Sequence, residues 1–476
     1  MILSPWKRAA ALRRIVWEGI TISGLSMPFL ILGAASLPGG FLSHEHAHLI
    51  EKALLVRDRG RLEWIGFAYP PLPVLMLLPW PTPLAAVLQA SLSGGLLAWS
   101  IGRRLQVLSF PPWIRAGLLL SFVGMPTILF LATQRFGTTL ALVLFLWAWQ
   151  AYLAFTRQGR TDAGFLAGLI IGFAFYASFY APVFALAFTL AAPLFARTRD
   201  PYHTLAILIV LVFPTVMTAG AWIYLSWLFT NQPLAFLYDP GSSLLIAFRP
   251  DEAFIAPGAI ARELAQRLLN IPLYIGVGVL IACLQPRRLP AYLILPLMMV
   301  GVWSLGGVFP RELSVTMGAL FALSGIPART PPRWGILLMA LALLQLGTDG
   351  LFGHYGERAR WWTALWEGKP SAADAVEEEI AGRLAHMPCG SVLADDRQAY
   401  RLIARAGTAC PFVLPPDPIF QPAVSRPQRF VRWLLVAESP QGPLGPLEAR
   451  YRLQAPPGFV PEASWPGWRL YRRREP

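Results

Sequence analysis

The sequence predicts a mainly α protein: a polytopic transmembrane helix bundle of about eleven spans, then a small C-terminal α/β domain outside the membrane. Composition is the first reason. Of 476 residues, 55% are hydrophobic and 14% are charged, and the mean hydropathy is +0.51. A soluble domain carries roughly a quarter charged residues, so this chain lacks the polar surface of an ordinary cytosolic enzyme. It is also too apolar for disorder. The second reason is recurrence: apolar runs near the roughly 20 residues a helix needs to span a bilayer alternate with short polar stretches. The third is a shift in composition near Phe352, after which charged and polar residues return. With 44 Pro, 40 Gly and 18 Trp, a plain coiled coil is excluded as well. Membrane helices tolerate Pro and Gly where neighbours satisfy the backbone.

The formal charge is +14. In an apolar chain, positive residues collect in cytoplasmic loops and fix orientation, so no nucleic-acid partner is expected. Lys7, Arg8, Arg13 and Arg14 precede the first span, from about Ile15 to Ser36, and place the N-terminus in the cytoplasm. This run is too long for a signal-peptide core and reads as an uncleaved helix. The polar stretch 37–68 is therefore outside. Within it, residues 43–59 have helical rhythm: Ala47, Ile50, Leu54 and Leu55 share a face, Ser43 is the N-cap and Gly60 the stop. That pattern predicts an interfacial helix lying on the membrane.

The second span runs from about Leu84 to Ile101 and meets Arg103 and Arg104 on the inside. The third and fourth, about Ala116 to Thr133 and Thr138 to Phe155, turn outside at Gln134 and Arg135. The fifth and sixth fill about Ala163 to Phe195 with an outer bend at Tyr176 to Pro182, and the seventh spans about Leu205 to Phe229. A second outer loop, 231–270, carries Arg249 and the Asp251-Glu252 pair, most simply a solvated loop. Spans eight to eleven follow at about Ile271 to Leu284, Pro290 to Val308, the stretch between Arg311 and Arg329, and Trp334 to Leu351. Arg287, Arg288, Arg329 and Arg333 lie inside, and Arg311 and Glu312 outside.

An odd number of spans puts residues 352–476 outside, beyond a transmembrane domain of residues 1–351. Helices are predicted at Ala372 to Ala385 and Gln398 to Ala406, strands at Ser391 to Ala394 and Val431 to Val436. Asp395-Asp396 follows a strand, where a ligand can bind, though a helix N-cap explains it more simply. Arg472-Arg473-Arg474 reads as a solvated tail. Of the three cysteines, Cys389 and Cys410 are disulfide candidates if the tail is extracytoplasmic, and Cys283 reads as an inert core residue.

The first outer loop is the most informative for chemistry. Charges beside a bilayer are costly to desolvate, and a general base must sit within reach of the hydroxyl it activates. Glu45, flanked by His44, His46 and His48, is placed for that role. The plain alternative is that these polar residues hydrate an interfacial helix. On a helix His44 and His48 share a face one turn apart, as ligands to a divalent metal ion can, while His46 points away. Spacing alone does not decide that.

The order of first span, acidic outer loop, helix, then Tyr69-Pro70-Pro71-Leu72 about two dozen residues beyond His44-Glu45 resembles GT-C fold glycosyltransferases. The likeness is to the family 39 type, which includes protein mannosyltransferases and lipid A aminoarabinose transferases. Met125-Pro126 to Arg135-Phe136 resembles the family's third-to-fourth helix junction, and Ala221 to Pro233 its seventh-helix exit. The resemblance implies a bacterial plasma-membrane enzyme. It implies sugar transfer from a polyprenyl-phosphate-linked donor to a lipid, glycan or protein acceptor on the outer side, with Glu45 as base and inversion at the anomeric carbon. His44 stands where many relatives carry Asp. Ala177-Ser178-Phe179-Tyr180 stands where many carry Lys, so Arg135, Arg249 or Arg311 would have to meet the donor phosphate. His44 would then act beside Glu45, and His46, His48 and Tyr69 would line the substrate site. The competing classes are a transporter or flippase for a lipid-linked solute, a metalloprotein built on the histidines, and a non-catalytic scaffold. A transporter usually shows repeated halves and charges within spans, whereas the polar residues here gather in outer loops.

Overall fold

The computed structural model describes residues 5–62, 70–158, 160–195, 201–234, 257–304, 309–352, 356–438 and 444–474. The elements begin with α1 (Pro5–Ser36), α2 (His44–Arg59), α3 (Pro71–Leu77), α4 (Pro83–Gln106), α5 (Pro112–Val123), α6 (Pro126–Gln134), α7 (Phe136–Gln158), α8 (Thr161–Phe175), α9 (Ala181–Ala191) and α10 (Pro201–Thr230). They continue with α11 (Pro257–Leu269), α12 (Pro272–Leu284), α13 (Leu289–Tyr292), α14 (Ile294–Ser304), α15 (Arg311–Gly325), α16 (Pro332–Phe352), α17 (Gly356–Glu367) and α18 (Ala372–Ala385). The C-terminal part adds β1 (Val392–Leu393), α19 (Asp396–Ala406), β2 (Phe412–Val413), α20 (Phe420–Ser425), β3 (Trp433–Ala437), α21 (Pro446–Tyr451), β4 (Phe459–Trp465) and β5 (Trp468–Arg473). The chain divides into two compact units. The described parts of 1–33, 87–237 and 243–359 make a helical unit, and those of 34–86 and 360–476 make a mixed unit. The first loop is thus part of the same unit as the C-terminal segment, not an appendage of the span-bearing one.

In the helical unit, each predicted span falls on helix wherever it is described. Among the described residues, five helices are long and apolar enough to cross a membrane: α1, α4, α7, α10 and α16. This is an integral membrane protein. The pairs α5–α6 and α11–α12 reach that length only together, bent by 60° and 93°. Helices α8, α9 and α14 are apolar but shorter, so the expected count of full crossings is not met by length alone. The predicted loop 231–270 also ends early. Residues Pro257–Leu269 form α11, with Ile260, Leu264 and Leu268 at a four-residue repeat that suits one helical face.

The α5–α6 break has a clear origin. Pro126 offers no N–H and disfavours helix at the residue before it. The exposed start of α6 is satisfied by Asp349 of α16, whose carboxylate accepts from Thr127 N at 2.8 Å and Thr127 Oγ1 at 2.6 Å. Arg358 balances that charge, 3.1 Å from Asp349 Oδ1. Elsewhere close packing replaces polar contact. A Cβ on Gly168 would lie 2.2 Å from Leu211 O, so only glycine lets α8 approach α10, and Thr215 Oγ1 donates to Gly168 O at 3.0 Å. Trp149 stacks on Phe321 with ring centroids 4.7 Å apart. Cys283, predicted to be a core residue, is exposed in the last turn of α12.

The mixed unit is built on a five-stranded sheet of order β2-β1-β3-β5-β4. Strands β2, β1 and β3 are parallel, and β5 runs antiparallel to β3 and β4. Leu393, Val413, Leu434, Val436, Phe420 and Tyr471 form its buried core, each such side chain contributing about 1.5–3 kcal/mol. The predicted helix 372–385 and strands near 392 and 433 are present. The basic end is not a free tail: Arg472 and Arg473 belong to β5, paired across to Val460 and Phe459. Cys389 and Cys410 are joined in a disulfide, with Cα atoms 4.7 Å apart.

Candidate active site

Helix α2 starts where the sequence places it. Ser43 accepts from His46 N at 3.1 Å, and Gly60 takes the left-handed conformation that closes the helix. Its surroundings differ from the expectation. Instead of one wet face, α2 is buried at His46, Ala47 and every position from Leu49 to Val56, including Glu51 and Lys52. The apolar stripe of Ala47, Ile50, Leu54 and Leu55 is a single buried face, as its spacing predicts, but it is packed within the protein. The opposite stripe, His44, His48 and Lys52, is covered by α19, which no reading of local periodicity would reveal.

That covering is polar. Lys52 Nζ lies 2.9 Å from Asp396 Oδ2 and 3.3 Å from Glu51 Oε2. His48 stacks on Tyr400 with centroids 3.5 Å apart. Burial first, then the charges of Lys52 and Arg401, push the His48 imidazole well below its ordinary value, so it is neutral. His44 Nδ1 bonds the Tyr400 hydroxyl, and His44 Nε2 lies 3.4 Å from Arg360 Nη2. Since a guanidinium only donates, Nε2 accepts and the imidazole proton sits on Nδ1.

The chain entering α2 is pinned as firmly. Arg401 Nη1 donates to Leu42 O at 2.7 Å and Arg405 Nη2 to Gly40 O at 2.8 Å. Both arginines are held in turn by Asp374 and Glu377 of α18. Glu45 is half-buried in the first turn of the helix so anchored.

The structure therefore groups His44, Glu45, His46 and His48 on one helix of the mixed unit. Arg135 and Arg311 lie in the helical unit. Arg135 Nη2 donates to Glu357 Oε2 at 2.9 Å, and Arg311 Nη2 to Asn270 Oδ1 at 3.5 Å. Tyr69, Arg249, Asp251 and Glu252 lie outside the described residues. Sequence reasoning missed Lys52, Arg360, Asp396, Tyr400 and Arg401 as neighbours of the site. The spacing of His44, His48 and Lys52 on one face was visible; their partners, more than 300 residues on, were not. A metal does not fit the histidines. His44 presents one nitrogen to Tyr400 and the other to a guanidinium, and among the described residues no group of three His, Cys, Asp or Glu side chains converges.

No protein-family profile and no curated protein sequence matches the chain. Solved structures do. ArnT from Cupriavidus metallidurans bound to undecaprenyl phosphate superposes at a TM-score of 0.55 with 13% identity, over 94% of this chain and 97% of that one. The same protein in the apo state gives 0.55 and 14%, over 97% and 98%. The fold is GT-C. The likeness runs through both units, so the sheet-bearing segment as well as the spans has a counterpart in ArnT.

Proposed function

We propose that this chain is a membrane glycosyltransferase that moves a sugar from a polyprenyl-phosphate carrier to an acceptor on the extracytoplasmic side. The observation that carries the reading is the near full-length likeness to ArnT, a protein crystallised with undecaprenyl phosphate. The chemistry asks for a lipid-facing body, cations for the donor phosphate, and a base for the acceptor hydroxyl. Apolar helices supply the first. Arg135, Arg249 or Arg311 is proposed for the second. Glu45 is assigned the third: it takes the proton as the acceptor oxygen attacks the anomeric carbon and the carrier phosphate leaves with the bonding electrons. His44 beside it keeps its own proton on Nδ1 and contributes position. The reaction as proposed needs no metal.

The orientation proposed is N-terminus inside and mixed unit outside. Arg103 and Arg104 at one end of α4 and the disulfide in the mixed unit support it, since disulfides persist in oxidising compartments.

The test is turnover of undecaprenyl-phosphate-linked sugars by purified wild type and by Glu45→Gln. A positioned base contributes about 10²- to 10⁴-fold, so the variant should lose that much kcat while folding normally. Near-normal transfer by Glu45→Gln removes Glu45 from the mechanism. Absence of transfer by wild type from every carrier-linked sugar, with carrier lipid still bound, favours a lipid transporter instead.

A further inference from the structure

A pair of buried carboxylates lies at the start of α19, next to the Asp396 that holds Lys52 of α2. Strands β1 and β3 are parallel neighbours. The chain leaves β1 through α19 towards β2 on one side, and leaves β3 through α21 towards the β4–β5 hairpin on the other. The crevice beyond the carboxyl ends of two such strands is where open α/β sheets gather polar groups. Here each strand is followed by one buried acid, Asp395 after β1 and Glu448 after β3, both 1% exposed.

Asp395 Oδ1 caps α19 by accepting from Arg397 N at 3.0 Å. Asp395 Oδ2 is sealed from solvent without a hydrogen-bond partner, and the Glu448 carboxylate, equally buried, faces the backbone N–H groups of Ala437 and Glu448. The two groups converge. A Cβ on Gly445 would stand 1.8 Å from Asp395 Oδ2 and 2.9 Å from Glu448 Oε2, so these oxygens are no further apart than those two distances added together. Glycine at 445 is what makes the space for them. The charged neighbours do not neutralise the pair. Lys52 of α2 is committed to Asp396 Oδ2 at 2.9 Å. Arg397 reaches only Oδ1, at 3.9 Å, and Asp396 adds a further negative charge.

Two buried carboxylates in one pocket do not both ionise; the second charge would face the first across a medium that screens poorly. We propose that Asp395 and Glu448 share one proton, and that this proton fastens the start of α19 to α21. Burial and the neighbouring acids hold Asp395 up at about 6 and Glu448 at about 7, so the fastener opens as pH rises through that range. The sign follows. Both folded-state values lie above the ordinary carboxylate range, so the stabilisation is complete below about pH 4 and is lost as pH passes about 6 to 7. Losing the proton leaves two like charges at the cap of α19. That helix carries Asp396, Tyr400, Arg401 and Arg405, which hold α2 and the Gly40–Leu42 approach to it. The order of the Glu45 helix is thereby tied to external pH, whether or not the chain transfers sugar.

The experiment is hydrogen exchange on the full chain in nanodiscs, normalised for intrinsic rates, comparing wild type with Glu448→Gln from about pH 5 to about pH 8. In wild type, protection of residues 395–406 should fall about tenfold across that range, the effect of one pH unit of linkage, with residues 43–59 following. Glu448→Gln removes the acid held at about 7 and leaves Asp395 alone, so its fall should be smaller than that of wild type and should come at lower pH. Equal pH dependence in the two proteins overturns the proposal. Infrared titration of the wild type guards against a variant that fails to fold: a carboxylic-acid carbonyl band present at about pH 5 and gone by about pH 8 is expected, reduced in Asp395→Asn. No such band at the lower pH overturns a shared proton. Added calcium that restores protection in wild type at the higher pH, and not in Glu448→Gln, overturns it in favour of a cation.

Discussion

In the helical unit a buried carboxylate, Asp349, meets two donors of Thr127 and one arginine, and the three residues close a single break between α5 and α6. In the mixed unit, Asp374, Glu377, Arg401 and Arg405 tie α18 to α19 and both to the Gly40–Leu42 backbone, while Lys52 ties α2 to Asp396. The first network repairs one helix end. The second joins segments separated by 344 to 365 residues of chain. The difference teaches where each unit gets its specificity. Spans pack by shape, through contacts such as Gly168 on Leu211, and the Asp349 network meets the backbone N–H that the break at Pro126 leaves unpaired. The mixed unit has short strands and uses buried charge to decide which distant piece packs where.

Cutting each network should expose that contrast. Arg401→Met leaves the Leu42 carbonyl without its donor and takes from Asp374 and Glu377 one of their two arginines, and breaking a buried ion pair costs about 3–5 kcal/mol. Thermal unfolding and limited proteolysis of the full chain should show the mixed unit loosened and the segment before α2 open to cleavage. A variant as resistant as wild type would mean that this network follows the fold instead of holding it. Asp349→Asn is the milder counterpart. Asparagine keeps an acceptor for Thr127 N but leaves Arg358 without its counter-charge, a loss of about 1–3 kcal/mol. Its effect should be confined to exchange in α6 and α16, with the mixed unit unchanged. Spread of the loss into α18 and α19 would break the comparison.

The same contrast explains what the sequence disclosed. Helix α2 was legible to the residue because its signals are local: Ser43 three positions before the amide it caps, Gly60 at the stop, and Ala47, Ile50, Leu54 and Leu55 on one face. The spans were legible because apolar length is local too, but the third was drawn straight through Met125-Pro126, and the bend that the proline signals there was missed. The cover over His44, His48 and Lys52 was not. A histidine beside a lysine reads the same whether water or Tyr400 lies against it, so an enclosed helix looked like one floating on the bilayer. The β4–β5 hairpin was readable and was missed: Pro466-Gly467 is a turn signal between two strand-forming runs, and Gly467 has the positive φ it calls for. Of the site itself, His44 and Glu45 were within reach of pattern. Arg360, Asp396 and Arg401 needed the chain to be folded.

The smallest expected effect tests whether burial alone distinguishes α2 from a surface helix. His48 is held neutral by burial against Tyr400 and by the positive charge of Lys52 and Arg401. Its folded value lies well below the ordinary 6.5, so the unfolded chain binds the proton first as pH drops. Stability from this residue is complete above about pH 6.5 and declines below it, by at most about 1.4 kcal/mol per pH unit. The Asp395–Glu448 pair has the opposite slope in the same unit, so the contribution must be read as a difference between proteins at each pH. His48→Phe keeps a ring to stack on Tyr400 and cannot take a proton. In apparent melting temperature it should match wild type at about pH 7.5 and exceed it increasingly from about pH 6 to pH 4.5. Parallel curves for the two proteins would mean that His48 reaches water after all, and that α2 is less enclosed than its contacts with α19 imply.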